Sequence, residues 1–127
     1  MKLLKIGFVF LLAWLLAASA AFADDVLKPF VLASKGPGAV AEKVEATKSA
    51  LTGAGFTIAG SYSPYPNATV IVVTNDELKS NAAKSDKGGF GAMVRVSVTK
   101  VGEEVQVAYT NPVYMSYAYR MVGRLEN

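Results

Sequence analysis

Arg95, Ser97 and Gln106 are the polar side chains whose types and spacing come nearest to a recognition site in this chain. Arg95 and Ser97 stand two positions apart in a run where valine alternates with polar residues, so both project to one side of a strand. Gln106 falls on the same side of the strand that returns after Gly102. A planar guanidinium flanked by a hydroxyl and an amide can fork onto a carboxylate or a phosphate. Tyr114, Tyr117 and Arg120 extend this polar set, and four of the 6 tyrosines lie in the last 19 residues of the 127. Such an amphipathic cluster suits a ligand pocket or a protein interface. Packing accounts for the tyrosines as well, and a solvated sheet face accounts for Arg95.

Two glycine-bearing loops carry weaker signals. Gly88, Gly89, Phe90 and Gly91 read as a flexible loop, either a mobile lip over a pocket or a plain connection. Gly36-Pro37-Gly38 joins a strand to a helix, where backbone N–H groups can cradle an anion, but it has neither a Walker lysine-serine pair nor a dinucleotide fingerprint, and reads as a turn. Asp76-Glu77 suits a helix start, and Glu103-Glu104 suits a hairpin flank. Neighbouring strand residues point to opposite faces, so the second pair does not share a metal or a proton. Asn67-Ala68-Thr69 matches a glycosylation acceptor formally and is read as chance.

Composition removes whole classes of chemistry. The chain has no histidine and no cysteine. The commonest neutral-pH general base, the commonest transition-metal ligand and every thiolate mechanism are therefore missing. No catalytic residue, cofactor or metal site is expected.

Residues 1–23 read as a secretory signal peptide: Lys2 and Lys5, an apolar run over 6–16, and small residues at Ala21 and Ala23. The apolar run is too short to cross a bilayer at full width. Cleavage near Ala23 would leave 104 of the 127 residues as a periplasmic or secreted protein that meets the membrane only during export. Without Lys2 and Lys5 the basic residues fall from 13 to 11 against 10 acidic ones, about +1, so no nucleic-acid partner is expected. The segment 24–127 has the size of one domain with one core.

The elements that must position the polar set follow from periodicity. Residues 29–34 read as a first strand. Val40, Val44, Thr47, Leu51 and Ala54 recur at helical spacing, and Gly53 and Gly55 end that helix. Phe56, Ile58 and Tyr62 alternate as the buried face of a strand over 56–62, and 68–74 is apolar on both faces, as an interior strand would be. Thr74 or Asn75 caps a short helix reaching about Ala83. Val94, Val96 and Val98, then Val105, Val107 and Tyr109, form an antiparallel hairpin, with Lys100 expected opposite Glu103 and Val98 opposite Val105. Asn111-Pro112 starts a last helical turn. The order is that of an α+β domain, a mainly antiparallel sheet with helices on one face.

Ser49-Ala50-Leu51 with Gly55-Phe56, the central apolar strand, and a valine-rich hairpin closing on Thr110-Asn111-Pro112 together resemble the bacterial domain-of-unknown-function 302 family over most of 24–127. That resemblance implies a β-α-β4-α fold similar to the TATA-box-binding-protein class, with a long final helix over the sheet. Only 114–127 remains for that helix here, so it is expected to be short or truncated. The resemblance carries no catalytic residues.

The reading these features favour is a non-enzymatic exported domain that binds a small ligand or a periplasmic protein through the sheet face of Arg95 and the tyrosine-rich end. The alternatives are an enzyme that pairs Arg95 with a tyrosine or carboxylate, and an assembly module, homo-oligomeric or not, that docks through 113–122.

Overall fold

The computed structural model describes residues 26–125, and the signal-peptide reading of 1–23 lies outside them. Five strands form one antiparallel sheet: β1 (Phe30–Gly36), β2 (Thr57–Tyr62), β3 (Ala68–Thr74), β4 (Val94–Val101) and β5 (Glu104–Thr110), in the spatial order β1-β5-β4-β3-β2. Three α-helices accompany it among the described residues: α1 (Val40–Gly53), α2 (Asp76–Ala82) and α3 (Pro112–Ala118). The α+β expectation holds at this level.

α1 leaves β1 at one edge of the sheet and delivers the chain to β2 at the other, so it must cross a face. It packs on β2, β3 and β4 with Val44 buried and Val40 and Leu51 half-buried. Its end follows the glycine reading: Gly55 takes φ 91° and Phe56 N–H donates to the Leu51 carbonyl at 3.0 Å, a closure that only a left-handed residue permits. On that same face lie Ile71 and Val73 of β3, Val94, Val96 and Val98 of β4, Val105 and Val107 of β5, and Leu78 of α2. This is the core, and it is one-sided.

The caps are local and match their sequence signals. Asn75 Oδ1 accepts from Leu78 N–H at 2.8 Å and starts α2. Asn111 Oδ1 accepts from Val113 N–H at 3.0 Å and starts α3 behind Pro112. Asn111 also ties in the beginning of the sheet: its Nδ2 donates to the Lys28 carbonyl at 2.9 Å.

Several expectations are corrected. The hairpin turns on Gly102-Glu103, with Val101 opposite Glu104, Lys100 opposite Val105 and Val98 opposite Val107. The shift is two residues, so every side chain keeps its expected face; a shift of one would have inverted them all. β2 does not keep one face. A bulge between Ile58 and Gly60 adds a residue, so Ile58 pairs beside Val73 on the helix side while Tyr62 pairs beside Val70 on the other. α3, by contrast, is short as its sequence suggests: Arg120 takes φ 51°, its N–H donates to the Tyr117 carbonyl and Met121 N–H to the Ser116 carbonyl at 2.8 Å. This is the closure used by Gly55, with arginine in the glycine position.

Candidate functional site

Strand pairing assembles the face opposite α1 in transverse rows. Leu32, Ala108, Ser97, Val70 and Tyr62 follow one another across all five strands, and Phe30, Thr110, Arg95 and Val72 form the adjoining row, where the Thr110 hydroxyl accepts from Arg95 N–H at 3.1 Å. Arg95 and Ser97 therefore sit together, as their spacing predicts, in a shallow concavity of about 340 Å³. Ser97 is held by its hydroxyl, which donates to the Ala108 carbonyl at 3.3 Å. Arg95 is exposed and forms no ion pair with any described residue.

The surroundings of Arg95 are apolar to a degree unusual for a wetted sheet face. Phe30 is 62% exposed, Leu32 51% and Tyr62 53%. Antiparallel sheets that meet only water alternate apolar-in with polar-out, and here the outer side of both edge strands carries large apolar groups.

The remaining residues of the expected site are dispersed. Gln106 shares the face but pairs with Thr99, four residues along the strand from Thr110, about 13 Å away at 3.3 Å per residue. From α3 it is Met115, not a tyrosine, that borders the concavity. Tyr114 is half-buried on α3. Tyr117 is taken by the Arg124 guanidinium, 3.7 Å from its ring centre. Tyr119 stacks on Phe90 with ring centres 5.8 Å apart. Arg120 serves as the left-handed cap of α3, a backbone role.

Gly88, Gly89, Phe90 and Gly91 lie between α2 and β4. They form a 3₁₀ turn, Gly88 is buried, and a Cβ there would collide with the Ala82 carbonyl oxygen. At Gly88 the packing of the turn against the end of α2 requires glycine, while Gly89 stands in open space and Phe90 is exposed. Phe90 borders neither concavity described here.

The larger concavity lies on the helix side, and the periodicity of α1 gave no hint of it. α1 packs chiefly on β2, β3 and β4, and its flank toward β5 and β1 leaves a gap among the described residues. A cleft of about 580 Å³ results. Val96, Val107 and Tyr109 form its floor, and Ala46, Thr47 and Ala50 of α1 form its wall. Phe56 and Pro112 close one end, and Lys43 with Ser34 stands at the other. The only sequence signal for it is the pair of alanines four apart on α1, flanking the face that carries Val44 and Leu51.

Among the described residues no three His, Cys, Asp or Glu side chains come together as a metal-binding group, and no buried side-chain nitrogen or oxygen lacks a hydrogen-bond partner. Among the described residues the perturbed carboxyl is Asp76, which the Lys79 ammonium, 2.8 Å away, holds below its ordinary range by hydrogen bond first and by charge second. It is fully exposed at the start of α2 and faces neither concavity. No known family model matches the chain, and no curated protein matches it.

Proposed function

We propose that this chain is an exported, non-enzymatic binding domain, released to the periplasm or the medium by cleavage near Ala23, and that it holds an anionic small ligand or a carboxylate-bearing protein partner on the open face of its sheet. One observation carries this reading: the Arg95 guanidinium, without an ion-pair partner among the described residues, is set among Phe30, Tyr62 and Met115. Apolar contact area supplies affinity and a single forked cation supplies orientation, the division of labour found in recognition sites. At the finer level the fold is read as the β-α-β4-α arrangement of the domain-of-unknown-function 302 family, similar to the TATA-box-binding-protein class. The element order, Gly55-Phe56 at the end of α1 and Asn111-Pro112 after the hairpin support that assignment, and the early stop of α3 departs from it.

Native mass spectrometry of the protein recovered from its own exporting cells, before and after mild denaturation, tests the proposal. The expected result is a mature mass beginning at Asp24, plus an adduct that Arg95→Ala loses while its circular dichroism is unchanged. An adduct kept at full occupancy by Arg95→Ala would remove the open face as the site, and a mass that retains residues 1–23 would remove the export reading.

A further inference from the structure

We infer that the helix-side cleft is a second, separate binding site, for a single-chain aliphatic carboxylate whose tail lies along α1 and whose head meets Lys43. Three features point to this chemistry.

The first is size and shape. A volume of about 580 Å³ falls within the range of sites that enclose small molecules, roughly 300–1,000 Å³. From Lys43 to Leu51 the wall of α1 runs eight residues, about 12 Å at 1.5 Å per residue, which matches an extended tail of about ten carbons. A peptide helix of the same length is a cylinder about 10 Å across, roughly 900 Å³, and would stand well proud of the lip.

The second is the distribution of polarity. Of the residues bordering the cleft, Lys43 alone has a charged side chain; it is half-buried and forms no ion pair with any described residue. The Thr47 hydroxyl is already committed, donating to the Lys43 carbonyl at 2.6 Å. The cleft thus offers an apolar trough with one cation at one end. A neutral hydrocarbon would leave the ammonium half-buried and unpaired, whereas a carboxylate satisfies it.

The third feature counts against a second copy of this chain docking through its own α1. In that arrangement the outer flank of one α1 would lie on the apolar floor of the other. That flank carries Glu42, Glu45 and Lys48, with the last two paired at 3.1 Å, and the floor offers them no partner.

Titration of the ¹⁵N-labelled protein with octanoate, decanoate and dodecanoate, and with decanol as the uncharged control, tests the inference. Shift changes are expected at Ala46, Ala50 and Val107 and not at Arg95 or Ser97. Affinity should rise about fourfold per added methylene until the trough is full. Lys43→Ala should weaken decanoate about tenfold and leave decanol unchanged. Ala46 is exposed on the wall, so Ala46→Trp should fold and fill the trough, abolishing binding of both. Equal affinity for decanoate and decanol in the parent protein would overturn the role of Lys43. Binding that survives Ala46→Trp, or shifts confined to the open face, would overturn the site itself. Protein that ignores all four compounds and binds only phosphatidylglycerol vesicles would assign the trough to a membrane surface and overturn the free-ligand reading.

Discussion

Val72 and Val73 are neighbours on β3, identical in chemistry, and face opposite sides of the same sheet. Val73 is fully buried beneath α1; Val72 lies beside Arg95 and is only half covered. The difference between the two faces is one of coverage rather than composition. Both carry aliphatic residues; among the described residues one has α1 packed over three of its strands while the other is bordered by Met115 of α3. Stability is therefore concentrated on one side. The other side is less covered among the described residues. A one-sided core of nine buried residues is enough because the polar groups at the sheet ends are satisfied locally, as with Asn111, Thr110 and Asn75.

The largest test of that contrast is to truncate each of the two valines. Val73→Ala removes two methyls from a fully packed position and should cost about 2 kcal/mol, whereas Val72→Ala should cost about 0.5 kcal/mol. Urea midpoints at an unchanged m-value measure the pair. Equal losses would mean that the open face is as well packed as the helix side. A smaller effect, of opposite sign, tests the margin between them. Arg120 occupies the left-handed cap of α3 as a non-glycine residue, where Gly55 does the same work for α1. Arg120→Gly should therefore stabilise the protein by about 0.5–1 kcal/mol in thermal unfolding. Destabilisation would show that the arginine side chain holds α3 in place through contacts of its own.

The smallest effect concerns the solvent side of α2. The Asp76 carboxyl is held below its ordinary value of 3.8 by Lys79. A depressed folded pKa contributes stability above the unfolded value, and that contribution is lost as pH falls through the lower folded one. Melting temperatures of the parent and Asp76→Asn should differ slightly at neutral pH and converge as pH is taken below 3.8. A difference that persists in acid would assign the effect to the helix start rather than to the ion pair.

What could be read from the sequence was what neighbouring residues decide among themselves. The span of α1, its glycine stop, the caps at Asn75 and Asn111, and the common face of Arg95, Ser97 and Gln106 all follow from spacing within a few residues. What escaped depends on partners far along the chain. The bulge between Ile58 and Gly60 exists only in relation to Val73 and Val72, so alternation alone placed Tyr62 on the wrong side. Gly88 read as freedom because the Ala82 carbonyl that confines it lies outside the loop. The C-terminal tyrosines read as one cluster because sequence proximity hides the helix: Tyr117, two residues after Met115, lies about 200° further around α3 and meets Arg124, while Tyr119, just past the helix end, stacks on Phe90. The cleft was hardest to foresee, since it is defined by the gap between the flank of α1 and strands far from it in the chain.

The pairing of β1 with β5 fixes an order of events during synthesis. Phe30 has no neighbour until Thr110 has been made, and the Asn111–Lys28 bond joins residues 83 apart. A chain that leaves the ribosome or threads a membrane from its amino end thus carries its first strand unpaired while β2, β3 and β4 assemble. That waiting strand presents Leu32 and Phe30 beside open backbone donors, an edge that invites association with other chains. Closing so long a loop comes late and slowly. Folding speed and losses to aggregation should both be governed by the last pairing, so a chaperone that shelters the segment around Phe30 would raise yield more than one acting on the hairpin.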